Sequence, residues 1–195
     1  MFRILALAVL LIVTALPVSA GFKEGLAAQQ RGDYKTAFRE IKAVAEQGNA
    51  AAQQILGAMY ASGQGVPKNY TLAFKWLRKA ADQGHVKAQY LLGLMYGNGA
   101  GVPKNYALAF KWLRKAADRG DAAAQQILGA MYHRGRGVLR NYVLAYMWYS
   151  LSAARGNTKA GKYLGIVETH MTPAAVERAQ AMAAKWKPKK AGSTK

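Results

Sequence analysis

From Ala51 onward the chain alternates between two kinds of apolar segment. The first reads AAQQILGAMY at 51–60, AQYLLGLMY at 88–96 and AAQQILGAMY again at 123–132. The second reads NYTLAFKWLRKAADQG at 69–84 and NYALAFKWLRKAADRG at 105–120. Plotted at about 100° per residue, Lys75, Arg78 and Lys79 fall opposite Ala73, Phe74 and Leu77. Lys111, Arg114 and Lys115 repeat this further along, so each segment predicts an amphipathic helix. Between the two kinds lie GQGVPKN, GAGVPKN and GRGVLRN. Their glycines at 63, 65, 99, 101, 135 and 137 allow backbone angles that other side chains resist, and Pro67 and Pro103 are expected to stop the preceding helix.

Shifting the chain by 36 residues superposes 51–86 on 87–122 and on 123–158 without a gap. Each unit is therefore read as a helix pair, and the expected fold is all-α, an α-solenoid of stacked antiparallel pairs with 36-residue repeats. A divergent unit at 21–50 keeps Gly32-Asp33-Tyr34, Ala37, Phe38, Ile41, Ala45 and Gly48 in register. A half-unit and a closing helix make up 159–187, and the basic tail at 188–195 has no apolar residues to pack and is expected to be disordered.

Comparing units separates frame from surface. Ala52/Ala88/Ala124, Leu56/Leu92/Leu128, Gly57/Gly93/Gly129 and Tyr60/Tyr96/Tyr132 do not change, nor do Tyr70/Tyr106/Tyr142 and Trp76/Trp112/Trp148. All are read as core, the small residues admitting close backbones and the aromatics filling the space between pairs. Gln54/Tyr90/Gln126, Ala58/Leu94/Ala130, Ala61/Gly97/His133 and Ser62/Asn98/Arg134 do change. They share one face of the first helices. Gln54, Ala58, Ser62, Tyr90, Leu94, Asn98, Gln126, His133 and Arg134 are thus the candidate partner-binding groove, on the surface expected to be concave.

The signature A-x-x-x-L-G-x-M-Y-x-x-G-x-G-V-P-x-N-Y-x-x-A-x-x-W-L-R-K-A-A-x-x-G, nearly whole in two units, resembles the Sel-1-like repeat family, a branch of the tetratricopeptide-type solenoids. That resemblance implies a scaffold for protein assemblies, in bacteria often exported to the envelope or toward a host. Some secreted members are cysteine-rich, and this chain has no cysteine, so functions special to that branch are not carried over.

Charge and the first twenty residues add a compartment. Met1-Phe2-Arg3, then the apolar run Ile4 to Leu16 and the small residues Val18-Ser19-Ala20, have the build of a cleavable signal peptide. The run is too short to span a bilayer, since a helix of that length reaches about 20 Å against roughly 30 Å of hydrocarbon. Cleavage after Ala20 and a periplasmic or secreted protein are expected. Without Arg3 the chain holds 27 basic against 9 acidic side chains, which favours an acidic partner. Arg39, Lys42, Lys75, Arg78, Lys79, Lys111, Arg114 and Lys115 form a candidate basic stripe on the second helices, partly offset by Asp82 and Asp118. The fourth unit replaces this stripe by Val143, Met147, Ser150 and Leu151, so its second helix is expected to be covered by the closing helix from Pro173 to Trp186, with Thr172 as its cap.

No catalytic or metal constellation is found. His85, His133 and His170 lie on different elements, and the acids are scattered. A non-catalytic, monomeric protein-binding scaffold without metal or cofactor is expected, with a protein or peptide partner. The alternative is an anionic polymer or membrane head groups on the stripe. Nucleic acid is disfavoured because the leader takes the chain out of the cytoplasm.

Overall fold

The computed structural model describes residues 18–190. Among them the chain forms ten α-helices and no strand: α1 (Val18–Gln30), α2 (Tyr34–Glu46), α3 (Ala50–Ser62), α4 (Tyr70–Asp82), α5 (Val86–Asn98), α6 (Tyr106–Asp118), α7 (Ala122–Arg134), α8 (Tyr142–Ala153), α9 (Thr158–Glu168) and α10 (Pro173–Lys185). The signal-peptide reading falls mostly outside these residues; Val18 to Ala20 occupy the first turn of α1.

Local chemistry starts and ends these helices where the repeat demands. Asn69, Asn105 and Asn141 each accept from the backbone N–H three residues on, at 2.9 to 3.0 Å. Such caps contribute about 1 kcal/mol each. The stop is glycine, which corrects the role expected of proline. Gly63, Gly99 and Gly135 sit left-handed at φ 80°, 74° and 64° and donate back into the helix. α7 ends at the equivalent residue although Leu139 stands where Pro67 and Pro103 stand, so the prolines lie too far downstream to decide the matter.

Packing alternates along the chain, each second helix lying between its own first helix and the next one. Gly57 and Gly93 explain the closeness, because a Cβ there would come within 2.7 and 2.6 Å of Leu77 and Leu113. Gly101 and Gly137 bring the turns of one unit onto the unit before, since a Cβ there would lie 2.3 Å from the carbonyl oxygens of Tyr70 and Tyr106. Buried Gln53, Gln89 and Gln125 donate to the carbonyls of Ala45, Ala81 and Ala117, pinning each first helix to the second helix before it. Phe38–Tyr60, Phe74–Tyr96 and Phe110–Tyr132 meet edge to face at the same junctions.

At the end the rule changes. α10 packs on α8 rather than completing a pair with α9. Met147 and Leu151 are thereby buried, Trp186 meets Trp148 at 6.1 Å, and Gln180 donates to the Tyr146 hydroxyl. Thr172 caps α10 ahead of Pro173 as expected. The tail departs from expectation at its root. Lys189 donates its backbone N–H to the Asp118 carbonyl at 2.8 Å and pairs its ammonium with the Asp118 carboxylate at 3.0 Å. The negative end of α6 and its terminal acid supply this attachment, and Pro188 lies beside Gly120 at the same place. Residues 191–195 lie outside the described residues.

Candidate binding site between the first helices

Small side chains leave hollows where successive first helices face each other. One lies between α3 and α5, lined by Ala58, Ala61, Ser62, Leu91, Leu94 and Asn98 and closed at one side by Tyr70. The next lies between α5 and α7, lined by Leu94, Gly97, Asn98, Ile127, Ala130 and Arg134, with Lys104, Tyr106 and Arg136 at its rim. Leu94 and Asn98 belong to both, so the hollows form one trench.

Of the expected groove residues, Ala58, Ser62, Leu94, Asn98 and Arg134 come together in this trench. Gln54, Tyr90 and Gln126 are half-buried and line neither hollow. Tyr90 lies beneath the Lys87 ammonium, 4.8 Å from its ring centre, and burial followed by Asp121 pushes its phenol up. His133 meets partners that sequence reading left apart: Tyr142 at 5.8 Å and His170 at 6.3 Å between ring centres. Tyr142 and His170 stack at 5.0 Å. Burial, then the neighbouring Arg134, His170 and Arg140, hold the His133 imidazole below its usual range.

The unchanging tyrosines 70, 106 and 142 do not fill the core as expected. Tyr70 is 42% exposed, and Tyr106 and Tyr142 are half-buried. Each is the first residue of a second helix; the Tyr70 and Tyr106 backbones receive Gly101 and Gly137 while their rings turn to the trench edge, and Tyr142 instead stacks on His170. Repetition reflects that backbone contact and hid the position of the ring. Lys68 stands 4.7 Å from the Tyr70 ring centre, Lys104 5.0 Å and Arg136 5.7 Å from Tyr106, and Arg140 5.5 Å from Tyr142.

On the second helices the basic side chains divide. Arg78 donates to Asp82 at 2.8 Å and lies 5.2 Å over Trp112 of the next unit, and Arg114 does the same with Asp118 and Trp148. Lys79 and Lys115 lie over Trp76 and Trp112. Arg39 pairs with Glu40 and Lys42 with Glu46, while Lys75 and Lys111 stand exposed. Two of the three arginines on this face, Arg78 and Arg114, thus serve contacts between units, a role the helical wheel could not reveal because Trp112 and Trp148 belong to other helices.

Among the described residues no three His, Asp or Glu side chains gather as a metal site, and no helix is long and apolar enough to cross a membrane. Stacked helix pairs, each packed on the next, define a helical repeat solenoid. The chain belongs to the Sel1 repeat family, whose profile matches residues 50–85, 86–121 and 122–157. Sel1 repeat proteins are generally protein-interaction scaffolds and typically non-catalytic. A Sel1 repeat protein from Oxalobacter formigenes is 34% identical, with a TM-score of 0.73 over 84% of this chain and 70% of that one. The protective antigen c5321 of uropathogenic Escherichia coli is 29% identical, with a TM-score of 0.61 over 87% of this chain and 45% of that longer one. Helicobacter pylori cysteine rich protein B, at 22% identity and a TM-score of 0.56 over 67% of this chain and 96% of its own, shares the fold. No curated protein matches the chain.

Proposed function

We propose that this protein is an exported, non-catalytic scaffold that binds a partner protein through the trench between α3, α5 and α7. One observation carries the reading: two sets of positions that vary between units, Ala58/Leu94/Ala130 and Ser62/Asn98/Arg134, lie in the trench lining over unchanging Leu77/Leu113 and Met95/Met131, while Leu56, Leu92 and Leu128 stay constant and buried. A constant frame with a varied lining is what selective binding by a repeat protein needs. Export is supported by the charged, apolar and small-residue succession of the first twenty residues. A second reading places an anionic polymer or lipid head groups on the second helices. Arg78 and Arg114 are already engaged there, which leaves Lys75 and Lys111 as its main attachment.

Ala58→Trp and Ala130→Trp, at half-buried positions, fill the two hollows. Capture of partners from an envelope extract should fall with either variant while melting stays nearly unchanged, and the exported protein should begin at Gly21. Capture indifferent to both tryptophans, yet lost in Lys75→Gln/Lys111→Gln, would move the site to the second helices. A protein retained in the cytoplasm with its first twenty residues intact would refute export.

A further inference from the structure

We infer that the segment seated in this trench is acidic, with apolar side chains set among its carboxylates; the inference rests on the trench being the binding site. Its basis is a segregation of charge between the two edges of the repeat. Between residues 47 and 167 the carboxylates are Asp82, Asp118 and Asp121, all at turns that lead from a second helix into the next first helix. The turns at the other edge carry Lys68, Lys104, Arg136 and Arg140 and no carboxylate. Asp33 before this stretch and Glu168 after it bound the acid-free edge in sequence.

Two features direct that charge into the trench. Lys104 and Arg136 line the hollow between α5 and α7, and Arg134 enters it from α7. Tyr70, Tyr106 and Tyr142 hold the cations of this edge over their rings, so the ammonium and guanidinium groups are positioned without being neutralised. The Tyr106 hydroxyl senses the result, held below the usual phenol range by its hydrogen bond with Lys104 and then by the charges of Lys104 and Arg136.

Beneath the cations the lining is apolar. Leu94, Ile127 and Ala130 offer no hydrogen-bonding or charged group to a phosphate. A uniform polyanion would leave these surfaces wet, so an acidic protein segment fits better than a polymer or a lipid surface. Successive hollows lie one unit apart, about 10 Å by the usual spacing of packed helices. A segment in the polyproline II conformation rises about 9 Å in one three-residue turn, so apolar side chains about three apart share a face and, with Asp or Glu around them, match the trench.

Random twelve-residue peptides displayed on phage and selected on the purified protein at about physiological salt test this directly. The expected winners are rich in Asp and Glu, carry apolar residues about three apart, and bind about tenfold more weakly to Lys104→Gln/Arg136→Gln, with Lys75→Gln/Lys111→Gln unchanged. Loss of binding to Ala130→Trp confirms the location. Neutral or basic winners that are lost in Ala130→Trp but not in Lys104→Gln/Arg136→Gln would overturn the acidic partner and keep the trench as the site. Winners displaced equally by polyglutamate or phosphatidylglycerol vesicles, with their apolar residues dispensable, would replace it by a polyanion or membrane surface. No enrichment over an unrelated protein would overturn both readings.

Discussion

The guanidinium of Arg114 lies 5.1 Å from the ring centre of Trp148 on the next second helix while its Nε donates to Asp118 at 2.7 Å. One side chain thus joins two units and closes a pair within its own helix. Asp118 is further tied to Lys189, so the same carboxylate also anchors the end of the described chain. An i,i+4 pair contributes about 0.3 to 0.5 kcal/mol and a partly desolvated cation over an indole about 1 kcal/mol. Arg114→Gln should therefore cost about 1 to 2 kcal/mol in urea unfolding, and Lys111→Gln under about 0.5 kcal/mol. Equal effects would show that the Trp148 contact is idle.

Gly101 and Gly156 share a left-handed backbone, at φ 71° and 84°, but not a neighbourhood. An added Cβ at Gly101 would lie 2.3 Å from the Tyr70 carbonyl, whereas nothing stands within 4 Å at Gly156. Gly156→Ala should cost only the backbone strain, about 1 kcal/mol. Gly101→Ala must also push two units apart and should cost about 3 kcal/mol or more. Comparable melting temperatures for the two variants would mean that the turn moves away without loss.

Removal of residues 171–195 should uncover Met147 and Leu151, now 6% and 7% exposed under α10. Increased binding of a hydrophobic dye and self-association on size-exclusion chromatography are the expected readouts. Removing residues 191–195 should do neither. A monomeric, dye-silent longer deletion would mean that α10 is not what keeps α8 dry.

The lowered pKa of His133 makes stability depend on pH near its end of the trench. The folded protein favours the neutral imidazole, facing Arg134 on its own helix, Arg140 and Tyr142 at the start of α8, and His170 beyond α9. Its contribution is present above the unfolded value of about 6.5 and is lost as pH falls through the lower folded value. Melting followed downward from about pH 6.5 should decline more steeply for the natural protein than for His133→Gln. Parallel curves would mean that the imidazole is as easily protonated folded as unfolded.

Sequence alone determined the periodic part of this protein. The 36-residue self-match, the apolar face of each segment, the need for small residues at Gly57 and Gly93, and the cover demanded by Met147 and Leu151 were legible because each depends on residues within one helix or one repeat. Five of the nine expected groove residues reached the trench for the same reason, since neighbours at three and four positions share a face whatever the helix packs against.

Tertiary structure decided what the offset between units brings together. Tyr70 and Tyr106 repeat as faithfully as Leu56, yet the neighbouring glycine turn occupies their backbones and leaves their rings at the trench edge. His133 on α7 and His170 in the turn after α9 lie about a whole unit apart, and Lys189 finds Asp118 across the four helices α7 to α10. Periodicity reports which side of a helix is buried, because that depends on angle along one axis. Which residues of two different helices meet depends on the rotation and rise from one pair to the next, and that is set only when the side chains of both pairs have packed.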